Sequence, residues 1–154
     1  MTDIVSPEKR SLMMSGIGPK DTKPEMIVRK GLHSQGFRYR LHVKNLPGKP
    51  DLVLPRYHAV IFVNGCFWHG HDCPLFKWPS TREEFWRNKI NRNREKDIES
   101  RAALCATGWR VGVVWECALK GTSRKTVDDV IELLSDWLHS TATFKEIRGT
   151  DHDT

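Results

Sequence analysis

Cys66, His71 and Cys73 stand together in the run Val63-Asn64-Gly65-Cys66-Phe67-Trp68-His69-Gly70-His71-Asp72-Cys73. Thiolate and imidazole at that spacing suit a tetrahedral zinc, with Cys117 far downstream as a fourth ligand. Four protein ligands close the coordination shell, which makes such a site structural and not catalytic. The competing reading is a pair of ordinary buried thiols with surface histidines. Three nitrogen and sulfur donors in one loop favour the metal over it. Asp72 and His69 remain open as substitutes for one ligand.

A second chemistry overlaps the first. Asp51 follows Pro50 at the start of a short apolar strand, and the apolar run Ala59–Val63 ends in polar Asn64. A carboxylate beside polar groups at the end of a neighbouring strand can hold Mg²⁺ next to a phosphate, because that ion needs only one or two protein oxygens. Asp51 could equally cap the turn after Pro47-Gly48, and on residue type alone that reading is the stronger. Glu25 stands three residues after Thr22, where a capping box would use it on the helix end, and His69 by itself could be a solvated loop histidine. Phe67 and Trp68 are adjacent, so in most loop conformations they do not both point into one core. Apolar wedges between base steps are one way of kinking DNA; docking the loop onto a sheet is the alternative use of either ring. Lys89 and Asn93 share a helix face with Trp86 one turn earlier. Such groups read bases through hydrogen bonds and phosphates through charge, although a solvated face is the default for a charged helix.

The elements that must position these groups are legible in outline. The 154 residues suffice for one domain with a single sizeable core. The net charge of +6 points to a polyanionic partner, and Lys and Arg concentrate between Lys77 and Arg101. No apolar run approaches a membrane span and the N-terminus lacks an apolar signal region, so the chain reads as cytosolic and free of membrane. In a reducing compartment four cysteines favour a metal site over disulfides. Cys105, among Ala and Leu of a helix, is expected as a buried thiol. Trp68, Trp78 and Trp86 sit among polar and basic residues, where core burial is less natural.

A short helix is expected around Glu8 to Ser15, exposing Met13, Met14 and Ile17. A second starts at Thr22 and is ended by Gly36. Phe37 to Val43 alternates as a strand with one wet face. Strands follow at Asp51–Leu54, at Ala59–Val63, which is apolar throughout and so central, and at Trp109–Trp115. Two overlapping capping boxes in Ser80-Thr81-Arg82-Glu83-Glu84 open a long helix to about Ala106. A final amphipathic helix carries Val127, Val130, Ile131, Leu134, Trp137 and Leu138, and the chain beyond Ser140 reads as a loosely ordered tail. The fold class is α/β, a mixed central sheet flanked by helices. The domains divide as an N-terminal segment 1–20, a body 21–140 and the tail 141–154.

The ordered series Thr22-x-x-Glu25, Pro47-Gly48-x-Pro50-Asp51, Val63-Asn64-Gly65-Cys66-Phe67-Trp68-His69-x-His71-x-Cys73, Arg82-x-x-Phe85-Trp86-x-x-Lys89 and Gly108-Trp109-Arg110-Val111…Val114-Trp115-Glu116-Cys117 closely resembles the very-short-patch repair (Vsr) endonucleases. Those bacterial enzymes nick DNA beside a T·G mismatch. The resemblance runs from about Met14 to Gly121 and implies a restriction-endonuclease-like fold with structural zinc on Cys66, His71, Cys73 and Cys117. It implies Asp51 as the carboxylate of a catalytic Mg²⁺, the carbonyl of Val63 as a further ligand, His69 as general base and Glu25 as an acid near the metal waters. Phe67, Trp68 and Trp86 match the wedge beside the mismatch. Met14 and Ile17 match residues entering the opposite groove, and Lys89 and Asn93 match the pair that contacts the mismatched bases. Asn64 stands near the active site where some family members carry histidine; Asn can orient a water or phosphate but takes up no proton near neutral pH.

The resemblance further implies double-stranded mismatched DNA as partner, mismatch-repair proteins as helpers and a nucleoid-associated bacterial location, and nothing in the sequence demands more than a monomer. Three rival readings remain, among them a nuclease of the same fold with another mismatch or sequence specificity, and a zinc DNA-binding module without catalysis. A partner-binding zinc protein with exposed tryptophans is a third.

Overall fold

The computed structural model describes residues 22–150. The expected N-terminal helix, with Met14 and Ile17, lies outside the described residues. In chain order the elements are α1 (Lys23–Ser34), β1 (Arg40–Leu41), β2 (Leu52–Leu54), β3 (Ala59–Asn64), α2 (Glu83–Ala106), β4 (Arg110–Trp115), α3 (Val127–Leu138) and β5 (Phe144–Ile147). They build a mixed α/β protein. The five-stranded sheet runs β1-β2-β3-β4-β5. β1, β2 and β3 pair antiparallel, whereas β3 with β4 and β4 with β5 are parallel. The parallel pair β3–β4 follows from α2, which carries the chain back along the sheet between them.

Strand alternation divides the core between the two faces. Leu52, Leu54, Ala59, Ile61, Val114 and Ile147 join Val28 and Leu32 of α1 and Val130, Leu134 and Trp137 of α3 in one cluster. Val53, Val60 and Val111 point the other way, against Leu104 at the end of α2. Gly112 sits where Trp137 crosses the sheet: a Cβ there would come 2.8 Å from Trp137 Cζ3. The Arg110 guanidinium gathers the carbonyls of Tyr57, Trp137, Leu138 and Ala142, locking the C-terminal end of α3 to the sheet. α2 buries only Trp86, Ile90 and Leu104, so most of its surface is left to solvent and the cleft.

Five expectations need correction. The strand over Phe37 to Val43 shrinks to Arg40–Leu41, because Phe37 turns into the core against Tyr57 and His139 and His42 takes a left-handed conformation, φ 50°. Neither Ser80 nor Thr81 caps α2. Arg82 holds the N-cap position with φ 52° and no side-chain cap, while its guanidinium covers the Phe85 ring at 4.3 Å. Cys105 is exposed, although its neighbour Leu104 is fully buried. Trp86 is buried, at 7% exposure, despite its basic neighbours. The tail is not loose throughout: Phe144–Ile147 form β5, which buries Ile147 and completes the parallel edge of the sheet.

Candidate active site and metal centre

The loops that leave β3 and β4 contribute to two neighbouring sites. Register places Val63 opposite Val114 and Asn64 opposite Trp115, so the loop after β3 and the turn after β4 leave the sheet side by side. Cys66, His71 and Cys73 come from the first and Cys117 from the second. Their ligand atoms all lie within 4.8 Å of one another. His71 Nδ1 is 3.6 Å from both Cys66 Sγ and Cys117 Sγ. Zinc bonds of about 2.3 Å to sulfur and about 2.0 Å to nitrogen at a tetrahedral angle would separate S and N by about 3.5 Å. The donor set and its spacing therefore fit a tetrahedral metal.

The sulfurs also receive backbone amides, Cys117 N on Cys66 Sγ at 3.3 Å and Gly149 N on Cys117 Sγ at 3.2 Å. The hydrogen bond from the Cys66 thiol brings the Cys117 thiol down to about 4, with His71 and the Gly149 amide acting in the same sense against burial. The same hydrogen bond to Cys117, together with burial, pushes the Cys66 thiol upward. Metal binding at such a cluster draws on the deprotonated thiols, and the opposed directions of Cys66 and Cys117 reflect how closely the two sulfurs are held. His71 stacks flat on Trp115, with centroids 3.9 Å apart, and Trp115 Nε1 donates to Glu146 Oε2 of β5 at 2.8 Å.

The second site lies in a cleft of about 780 Å³ between the sheet ends and α2, lined among others by Glu25, Asp51, Val63, Asn64, Trp68, His69 and Asp97. Asp51 does not cap the turn before it. Its Oδ2 accepts the Val63 amide from the neighbouring strand at 2.7 Å. Burial pushes its carboxyl up to about 6, with the nearby Glu25 carboxylate adding to the rise and the Val63 amide and His42 opposing it. Glu25 is buried near the start of α1. Thr22 caps that helix through its hydroxyl, 3.4 Å from Glu25 N, but the Glu25 carboxylate does not turn back to the cap. It faces the cleft, 2.8 Å from His42 Nε2 and 3.4 Å from Arg29 Nη1.

His69 is turned away from the sulfurs. Its Nδ1 lies 2.5 Å from Asp97 Oδ2 on α2. With Nδ1–H donated to that carboxylate, Nε2 carries the lone pair. The same face of α2 grips the rest of the loop: Asn93 Nδ2 donates to the Trp68 carbonyl at 2.8 Å, and the Arg94 guanidinium donates to the carbonyls of His69 and Gly70. Gly70 has φ 58° and lies against α2, where a Cβ would come 2.6 Å from Ile90 Cγ2. Only glycine satisfies both conditions.

Beside the cleft, Phe67 and Trp68 meet edge-on at 5.3 Å, and Trp86 backs both at 5.4 and 5.9 Å. Phe67 and Trp68 are half-buried, so Trp86 supports the pair from below. Lys89 lies one turn from Asn93 on α2. Sequence reasoning missed His42 and Asp97. His42 had a usable signal, since a hairpin closed by Asn45–Gly48 brings it level with Asp51, to whose carbonyl its amide donates at 3.1 Å. Asp97 had none, being one acid in a charged helix.

No helix among the described residues is long and apolar enough to cross a membrane. The family model described as DNA mismatch endonuclease Vsr matches residues 2–75. DNA mismatch endonuclease Vsr of Escherichia coli strain K12 is 44% identical over 90% of this chain and 88% of its own length. The type II nicking enzymes V.XorIIP of Xanthomonas oryzae pv. oryzae and V.NmeAIP of Neisseria meningitidis are 52% and 50% identical, over 77% and 78% of this chain and 88% and 86% of theirs.

Proposed function

Because this chain belongs to the Vsr family of DNA mismatch endonucleases, we propose that it nicks one strand of duplex DNA beside a T·G mismatch and so opens a short repair patch. The observation that carries the reading is the cleft, in which the Asp97-held imidazole of His69 shares one wall system with Asp51 and Glu25, beside the Phe67–Trp68 pair. We assign the sheet and its carboxylate-bearing hairpin to the restriction-endonuclease-like fold.

His69 Nε2 is the general base. It takes a proton from the attacking water, and Asp97 holds the ring in the tautomer that leaves Nε2 free to do so and stabilises the imidazolium that forms. Asp51 and the carbonyl of Val63 would hold Mg²⁺, with Glu25 fixing its waters; two facing carboxylates, one of them lifted toward neutral pH, are a donor set that a cation relieves. Bound there, the ion supplies positive charge to the scissile phosphate and the departing 3′ oxygen. The products are a 5′-phosphate and a 3′-hydroxyl. Asn64, at the end of β3, orients water or phosphate in the same cleft.

Zinc on Cys66, His71, Cys73 and Cys117 holds the loop that carries His69, Phe67 and Trp68. Phe67 and Trp68 wedge into the duplex next to the mismatch with Trp86 as their support. Lys89 and Asn93 contact the mismatched bases, and Met14 and Ile17 enter from the other groove. Asn93 would exchange its bond to the Trp68 carbonyl for a base edge, or share it. DNA is the partner to which the net charge of +6 is suited.

The test is a nicking assay on matched, T·G and other mismatched duplexes of several flanking sequences, with Mg²⁺ and with EDTA. A Mg²⁺-dependent single nick at T·G is the expected result. The type II nicking enzymes among the relatives favour a second reading, the same chemistry in another sequence context. Nicking confined to a different mismatch or flank would establish that one instead. Tight duplex binding with no nick on any substrate would leave a zinc DNA-binding module.

A further inference from the structure

His42 has no part in the mechanism above, yet its backbone is bent to bring it to the cleft. Its φ of 50° is left-handed, a conformation uncommon in residues with a Cβ and one that persists where the surroundings impose it. The bond from its amide to the Asp51 carbonyl holds it there, just past the end of β1. The side chain then points at the carboxylates. His42 Nε2 is 2.8 Å from Glu25 Oε2, and a ring nitrogen of His42 and one oxygen each of Glu25 and Asp51 all lie within 4.8 Å of one another. Donors around a six-coordinate ion with bonds of about 2.1 Å sit about 3.0 Å apart when adjacent and about 4.2 Å when opposite. The His42–Glu25 separation is near the adjacent value, and no pair among the three lies farther apart than 4.8 Å.

We propose that His42 Nε2 is a direct ligand of the divalent cation that Asp51 holds in the cleft, with Glu25 beside it, so that the site is a mixed nitrogen–oxygen site. The proposal rests on the reading that Asp51 holds a cation. Imidazole adds affinity for first-row transition ions and little for Mg²⁺, which favours oxygen and keeps its waters. The site therefore takes Mn²⁺ in clear preference to Mg²⁺. A histidine that served only to pair with Glu25 would leave the inner shell of a bound ion unchanged.

The experiment uses the full, zinc-loaded chain without DNA. Mn²⁺ binding is followed by loss of the free-ion EPR signal, Mg²⁺ affinity by competition, and directly bonded ¹⁴N by pulsed EPR, for the wild type, His42→Asn and Asp51→Asn. Asn is the chosen replacement because it tolerates the left-handed conformation and is too short to reach the ion. The expected result is an Asp51-dependent Mn²⁺ with a nitrogen coupling that His42→Asn removes, weakening Mn²⁺ by about tenfold or more and Mg²⁺ by less than about threefold. Asp51-dependent binding whose nitrogen coupling is absent, or survives in His42→Asn, overturns the proposal and leaves the role of Asp51 standing. Absence of any Asp51-dependent Mn²⁺ overturns both. If zinc content or melting shows that His42→Asn does not fold, ¹⁵N-histidine labelling of the wild-type protein reads the same bond. An unchanged coupling pattern on labelling then refutes the proposal.

Discussion

The two candidate metal sites grow from the same strand ends and are opposite in character. At the closed corner the donors are Cys66, Cys73, Cys117 and His71, and all but Cys73 are buried. In the cleft two hard carboxylates, Glu25 and Asp51, stand with the His42 imidazole, beside an open space of about 780 Å³. One loop serves both. His69 and His71, two residues apart, turn to opposite sides: His69 Nδ1 to Asp97, His71 Nδ1 to the sulfurs. Trp115 stands between them, stacked on His71 and edge-on to His69 at 5.9 Å. A closed, sulfur-rich site stabilises geometry, whereas an open, oxygen-rich one leaves positions for substrate and water. The division of labour is therefore sharp enough to break experimentally.

The largest effect should come from the closed site. Cys117→Ser should abolish stoichiometric zinc and lower stability by roughly 3 kcal/mol or more, since metal binding at such a site is folding free energy; full zinc content with an unchanged melt would remove Cys117 from the ligand set. His69→Gln should act the other way round. Zinc and melting stay as in the wild type, while the single-turnover nicking rate falls by about 10²- to 10⁴-fold, the usual contribution of a general base. A parallel loss of zinc would show that His69 belongs to the closed site after all.

Trp68→Ala probes the surface where the two sites meet. It should weaken binding to a mismatched duplex by about tenfold, in line with about 1–3 kcal/mol for a stacked base, and weaken matched duplex less. Equal losses on both duplexes would remove the wedge role. The smallest effect concerns the charge in the open site. Burial lifts the Asp51 carboxyl from 3.8 to about 6, so the folded protein binds that proton more readily than the unfolded chain. Stability from this group is full below 3.8 and is lost as pH rises through 6. Without divalent metal, Asp51→Asn should therefore melt higher than wild type above pH 6, and the gap should close toward pH 3.8. A variant that melts lower at every pH would mean that the Asp51–Val63 bond outweighs the buried charge.

The closed site was the more legible of the two in the sequence, for a physical reason. Cysteine and histidine are few, and three of the four ligands share one loop, so spacing alone brings them together. The apolar runs that became β3 and β4 were equally plain, and with them the side-by-side exit that delivers Cys117. The open site is assembled from four separate elements by ordinary residue types. Asp97 reaches His69 across 28 residues of sequence, and His42 looked like the wet face of a longer strand than β1 proved to be. Local signals also misled where tertiary contacts outweighed them. Arg82 stacks on Phe85 in place of a Ser or Thr cap, and β5 forms because β4 offers a free edge. The resemblance to a known family, not periodicity, supplied the roles of Asp51, Glu25 and His69.

The central claim is that Asp51 carries the chemistry and the zinc corner only holds the frame. Single-turnover nicking of a T·G duplex by Asp51→Ala, with zinc content and duplex affinity measured on the same preparation, tests it most directly. The account predicts a rate reduced by about 10³-fold or more at saturating enzyme, on the scale of losing a charge-stabilising metal group, with full zinc and unchanged affinity. A variant that nicks within about tenfold of wild type, or one that loses its zinc together with its activity, would contradict it.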